Sequence, residues 1–358
     1  MTTRRNFLKN TTMLAAGLGV SPLLSSSPLR SYQKEEVING KVRIAVIGVG
    51  MGCRDLQGAL TDNPWVHCVG MCDVNKVRLE EQLARFKKDF PEQTVSIKAY
   101  TDFREVLANK EIDGVIIATP DHWHPYIFAE ALKAGKAIYV EKPVGNSISE
   151  CNAMMDFQKK YKGVVTTGLW QTSQRYFRAA NEILKSGVLG DVYKVQLWLC
   201  QSTNPRPSVE DSEAPSTLDY DMWLGPAPER PFNNSRFRGW RGFWDYGGGQ
   251  QTDWGVHWID SAFDGLKALG LCDREYPDAV FSIAYKDPAS FNETPSCQTS
   301  IFQYKNFHIE WAQQVAYLYN RNQGVAWVGS KATLVCNREG YELIPEKTRD
   351  GILLRSEE

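Results

Sequence analysis

From Lys41 onward, short apolar runs alternate with segments of helical period. Val42–Ile47, Val66–Cys72, Val115–Ala118 and Ala137–Val140 are short, apolar and bounded by turn residues, the pattern of strands buried on both faces. Between them, Arg78–Phe90 and Pro125–Ala134 carry apolar residues at helical spacing, with Gly135 placed as a C-cap after the second. This alternation predicts a doubly wound parallel sheet, whose ligand crevice opens at the carboxyl ends of its strands. After about residue 170 the rhythm changes. The spacing predicts a helix over Tyr176–Ser186, stopped by Gly187, and then a long strand, Val192–Cys200. Residues 201–240, rich in Pro, Ser and Asn, predict one long surface loop. From Ala279 to Cys336, β-rich runs separated by turns predict a largely antiparallel open sheet. The expected fold class is α/β, with a parallel-sheet domain over 41–168 followed by an α+β domain over 169–358.

Composition changes this picture little: 358 residues, 42% apolar and 23% charged, describe a folded chain with room for two cores. Charge adds an exclusion. The formal charge is −1, but residues 1–34 hold five basic side chains and no acidic one, so the rest carries 36 basic against 42 acidic groups. An acidic body with scattered Lys and Arg lacks the basic stripe that nucleic acid requires. At the start, Thr3-Arg4-Arg5-Asn6-Phe7-Leu8-Lys9 resembles a twin-arginine export signal, which implies the twin-arginine machinery as a partner and a periplasmic location. The apolar stretch after it, Met13–Leu24, is too short for a stable membrane span. Eight cysteines would suit disulfides in an exported protein, yet Cys68 and Cys72 fall in an apolar strand and Cys53 in a Gly-rich turn. Mostly free, buried thiols are expected, and no pair has the spacing of a metal site.

The chemistry concentrates at strand ends. Gly48-Val49-Gly50-Met51-Gly52-Cys53 follows the first strand, and a helix is expected to open after it. Gly48, Gly50, Met51 and Gly52 are the candidates for cradling a pyrophosphate, with Cys53 at the third fingerprint position. Asp73 ends the next strand, where a carboxylate accepts from a ribose 2′-hydroxyl and repels a 2′-phosphate, so NAD is favoured over NADP. Thr119-Pro120-Asp121-His122-Trp123-His124 and Glu141-Lys142-Pro143 follow two further strands. Thr119, Pro120, His122, His124, Glu141, Lys142 and Pro143 are therefore cofactor-side candidates. A His at a helix start is more often a cap than a catalyst, whereas a Lys beside a cationic nicotinamide suits proton transfer or carbonyl polarisation. Farther on, Asp253 and His257 stand four apart on one predicted helical face that Asp260 and Asp264 extend. Spacing alone leaves a catalytic pair, a solvated stripe and a two-ligand zinc site all open.

The run TPDHWHPYIFAEALKAGKAIYVEKPV, after a Gly-rich first turn and Asp73, strongly resembles the Gfo/Idh/MocA oxidoreductases, most specifically at Glu141-Lys142-Pro143. The resemblance implies an N-terminal Rossmann domain, then an α/β domain whose open sheet carries a sugar site and often a homo-oligomer interface. It also places an Asp and a His at the spacing of Asp253 and His257 beside the Lys of the EKP motif. The implied chemistry is hydride transfer between a sugar or polyol carbinol and the nicotinamide, without a metal. His257 or Lys142 would serve as base, with Asp253 orienting the imidazole or contacting the sugar. Trp170, Gln171, Gln174, Arg175, Arg238 and Tyr246 fall in segments that resemble the pocket lining. Two other readings stand beside net oxidation. One is a glycoside-cleaving relative that oxidises a sugar carbon transiently, eliminates the substituent and restores the hydride. The other is a non-catalytic, cofactor-holding sugar-binding protein, in keeping with an ending at Glu358 that is early for the family and reads as a shortened C-terminus.

Overall fold

The computed structural model describes residues 41–50, 63, 65–91, 96–200, 207–271, 276–314, 318–348 and 351. The twin-arginine segment, Met51, Gly52, Cys53 and the helix expected after them lie outside the described residues. The described chain falls into two compact units. One ends at Gly168 and includes Glu210–Asn234; the other is formed by Leu169–Val209 and the residues from Ser235 onward.

The first unit is a six-stranded parallel sheet of order β3-β2-β1-β4-β5-β6. Its strands are β1 (Val42–Ile47), β2 (Val66–Cys72), β3 (Lys98–Tyr100), β4 (Gly114–Ile117), β5 (Ala137–Val140) and β6 (Val165–Thr167). The connecting helices are α1 (Lys76–Asp89), α2 (Phe103–Ala108), α3 (His124–Lys133) and α4 (Ile148–Tyr161). Strands are added on one side of β1 up to β3 and on its other side from β4 onward, so the topological switch point lies where the Gly-rich turn and Thr119 leave the sheet. Helix α1 starts two residues before its predicted start because Asn75 caps it, its side chain accepting from the Arg78 amide at 3.1 Å. Gly135 ends α3 at φ +70°, as expected of a C-cap glycine.

Residues 207–240 are not one surface loop. Tyr220–Leu224 forms a short helix capped by Asp219, and Leu218, Trp223, Leu224 and Phe232 are buried. Backbone bonds from Lys76 N to Thr217 O and from Asp219 N to Val74 O tie this stretch to the end of β2. The Pro/Ser-rich composition hid these few apolar residues, which bury themselves against the first unit.

In the second unit a seven-stranded sheet runs β13-β12-β11-β7-β10-β9-β8. It comprises β7 (Val192–Cys200), β8 (Ala279–Tyr285), β9 (Cys297–Gln303), β10 (His308–Gln314), β11 (Gln323–Gly329), β12 (Ala332–Asn337) and β13 (Gly340–Pro345). All neighbours are antiparallel except β7 and β10, so the sheet is largely antiparallel, as expected. Helices α5 (Arg175–Lys185) and α6 (Val256–Ala268) share a core with one face, burying Phe177, Leu184, Trp258 and Leu266 with Val195, Ile309, Trp311 and Trp327. On the other face, register aligns Phe281 with Ile301 and Glu310, and all seven residues of β8 are exposed. Among the described cysteines, all are free; Cys68, Cys72 and Cys336 are buried and Cys297 is exposed. No helix among the described residues is long and apolar enough to cross a membrane.

Candidate functional site

In the first unit, Gly48 ends β1 at φ +89°. A Cβ there would lie 2.6 Å from the Ala118 backbone carbonyl, so only glycine lets the turn pass this close to the end of β4. The next amide, Val49 N, donates to Asp73 Oδ2 at 3.0 Å, while Asp73 Oδ1 accepts from Asn75 N at 2.8 Å. Burial pushes the Asp73 carboxyl up, against the pull of those two amides and of the Arg78 charge. Beyond Ala118, the Thr119 hydroxyl is buried without a hydrogen-bond partner among the described residues. An unpaired buried hydroxyl is costly, and a bound ligand would relieve it. A backbone cradle that excludes side chains, a carboxylate at the next strand end and an orphaned hydroxyl together fit a dinucleotide.

The two histidines of the Thr119–His124 segment have protein partners. His122 Nε2 lies 3.1 Å from the Trp223 carbonyl, and the Trp123 indole donates to the same oxygen at 3.0 Å. His124 contacts the Pro143 carbonyl through Nδ1 at 2.7 Å and the Thr119 carbonyl through Nε2 at 2.9 Å, bridging the turn after β4 to the EKP turn. In that second turn the Lys142–Pro143 peptide is cis. Glu141 accepts from the Tyr139 hydroxyl at 3.3 Å and from the Lys142 amide at 3.2 Å. Gly168 makes room for that carboxylate, since a Cβ would come within 2.7 Å of Glu141 Oε2.

In the second unit a π-helical turn, Gln251–Gly255, leads into α6. It replaces the α-helical start that the Asp253/His257 spacing predicts, and such turns recur at functional sites. Asp253 pairs with Arg241, whose Nε lies 3.0 Å from Oδ1 and whose guanidinium covers the Trp240 ring at 4.2 Å. His257 is only 4% exposed, which removes the solvated-stripe reading for this residue. Its ring meets the Trp170 indole edge-on at 5.8 Å, and Trp170 is 41% exposed.

The remaining pocket candidates separate. Gln171 is fully buried, with its amide donating to Ser261 Oγ at 2.9 Å and to the His257 carbonyl at 3.4 Å. Tyr246 is likewise fully buried, while Arg175 is exposed and stacks on Tyr176. Three residues without a sequence signal join the cluster: Arg241, Ser261 and Arg338, the last donating to Gln171 Oε1 at 2.9 Å.

One turn along α6, burial pushes the Asp260 carboxyl up to about 6, helped by Asp264 and opposed by Lys267. Because its folded pKa lies above the unfolded value, the group's contribution to stability is full below about pH 4 and is lost as pH rises through 6. Asp260→Asn is therefore expected to stabilise the fold by about 1–2 kcal/mol at pH 8 and little at pH 4, in urea melts at the two pH values. Equal gains at both would remove the burial penalty from Asp260.

Comparison with known proteins bears directly on the candidate residues of each unit. Residues 42–169 match the model of an oxidoreductase family with an NAD-binding Rossmann fold, and residues 178–267 match the C-terminal alpha/beta domain of the same family. An alpha-N-acetylgalactosaminidase from Tannerella forsythia is 33% identical over 163 residues, covering 42% of this chain and 34% of that enzyme. An inositol 2-dehydrogenase from Salmonella typhimurium is 24% identical over 151 residues, covering 42% of this chain and 43% of the enzyme. The aligned stretches thus span less than half the length of these curated relatives. Among solved structures, the WlbA dehydrogenase from Bordetella pertussis, in complex with NADH and UDP-GlcNAcA, shares the fold. Its TM-score is 0.61 at 17% identity, covering 82% of this chain and 79% of that one. With both of its domains matched over more than half of its length, the chain belongs to the Gfo/Idh/MocA oxidoreductase family and carries that family's NAD-binding Rossmann domain.

Proposed function

We propose that the chain oxidises or reduces a sugar or polyol at a carbinol carbon, using a tightly held NAD. The observation that carries this reading is His257, a buried imidazole beside the partly exposed indole of Trp170. An indole face suits the C–H face of a sugar ring, and an imidazole beside it suits transfer of a hydroxyl proton. Gly48, Gly50, Asp73 and Thr119, together with Met51 and Gly52, would hold the dinucleotide. When bound, NAD supplies the acceptor for the hydride that leaves the carbinol carbon. His257 takes the hydroxyl proton, and the Lys142 ammonium stabilises the developing alkoxide. Asp253, held by Arg241, contacts the sugar. The similarity to the Tannerella glycosidase supports a second reading, in which the oxidised sugar loses the proton next to its new carbonyl, expels its glycosidic substituent, takes up water across the resulting double bond and is then reduced again. Net oxidation leaves reduced cofactor behind, whereas cleavage releases the aglycone with none.

Cofactor choice is tested at Asp73. Titration is expected to show tighter binding of NAD than of NADP, and Asp73→Ser should narrow that preference by roughly 1–3 kcal/mol. Equal affinities in the unsubstituted protein would remove the role of Asp73. The open face of the second sheet supports a homo-oligomer, since Phe281, Ile283 and Tyr285 are each more than half exposed and Phe281 pairs with the exposed Ile301. Phe281→Lys is expected to shift sedimentation from an oligomer to a monomer. A monomeric unsubstituted protein would contradict that interface.

A further inference from the structure

We propose that Arg338 is a positioning residue for His257, acting through Gln171 and Trp170 without touching the substrate; this rests on the assignment of His257 above. Arg338 occupies the hairpin between β12 and β13, with its guanidinium 4.8 Å from the Trp170 ring centroid and 4.7 Å from that of Trp254. A planar guanidinium can lie against indoles and still donate in its own plane, which an ammonium cannot do. Here Nε donates to Gln171 Oε1 at 2.9 Å.

That bond fixes which way the Gln171 amide faces. With Oε1 committed to Arg338, Nε2 turns to Ser261 Oγ at 2.9 Å and to the His257 carbonyl at 3.4 Å. Ser261 Oγ donates in turn to the same carbonyl at 2.9 Å. Every proton in the chain has one direction: guanidinium to amide oxygen, amide nitrogen to hydroxyl, hydroxyl to the His257 carbonyl. Were the amide reversed, its oxygen would face that carbonyl oxygen and the grip would become a repulsion. Arg338 thus sets both the backbone of His257, through Gln171, and the indole packed against its imidazole, through Trp170. Gln171 is fully buried and Ser261 is 2% exposed, so water offers no ready substitute.

The chain has five histidines, few enough for Cε1-labelled histidine NMR to resolve, with His257 identified by its loss in His257→Asn. In Arg338→Lys the His257 resonance is expected to move while the other four stay. NAD affinity should hold, and turnover of whichever sugar is active should fall about 10²-fold. Gln171→Met should reproduce the His257 shift, and the double variant should add little, because both break one path. An unmoved His257 resonance in Arg338→Lys would overturn the proposal. Loss or shift of all five would also overturn it, by showing that Arg338 holds the fold. A selective His257 shift with full turnover in His257→Asn would leave Arg338 as its positioning residue and refute the function assigned to His257.

Discussion

Replacing His257 by Asn is expected to lower turnover by roughly 10²–10⁴-fold while leaving NAD binding intact, the usual contribution of a positioned acid or base. Two features of the structure make the effect large. The ring is 4% exposed and packs against the Trp170 edge, so its position is held by neighbours and not by solvent. It also lies in the first turn of α6, where its own carbonyl accepts from Gln171 and Ser261. Lys142→Met is expected to give a loss of the same order, because removing the ammonium removes charge stabilisation at the alkoxide. Binding titrations and initial rates on the same preparations separate the two effects. Wild-type turnover in His257→Asn would withdraw its role as base.

The second large effect is expected at Gly48. Gly48→Ala places a Cβ 2.6 Å from the Ala118 carbonyl carbon and oxygen and 2.7 Å from Thr119 N, all backbone atoms just past the end of β4. Backbone cannot swing aside as a long side chain does, and φ +89° is itself strained for any residue with a side chain. Together these should cost about 3–5 kcal/mol and open the turn that cradles the pyrophosphate. NAD binding is expected to become undetectable by calorimetry. Undiminished NAD binding by folded Gly48→Ala would show that the dinucleotide lies elsewhere.

Much of this fold was legible because buried strands announce themselves. β1, β2, β5 and β7 occupy the residues that their apolar runs predict, and for the strands of the parallel sheet this follows because a strand covered on both faces tolerates few polar positions. The missed elements are those with little to bury. β3 and β6 have three residues each, and α4 buries only Met154, so neither period emerges. In the site, Gly48 and Asp73 were legible because backbone conformation and strand ends constrain residue type locally. Arg338 was not. Its partner Gln171 lies 167 residues away in sequence, and one guanidinium among indoles leaves no periodic trace.

The most direct test of the central claim, nicotinamide chemistry on a sugar, is one assay of NAD-saturated protein. Free sugars, polyols and nitrophenyl glycosides would be followed together for reduced-nicotinamide absorbance and nitrophenol release. The account predicts accumulation of reduced cofactor with at least one sugar or polyol, and release of nitrophenol without it would select the cleaving branch. Absence of both signals, from protein shown by titration to be saturated with NAD, would contradict the account.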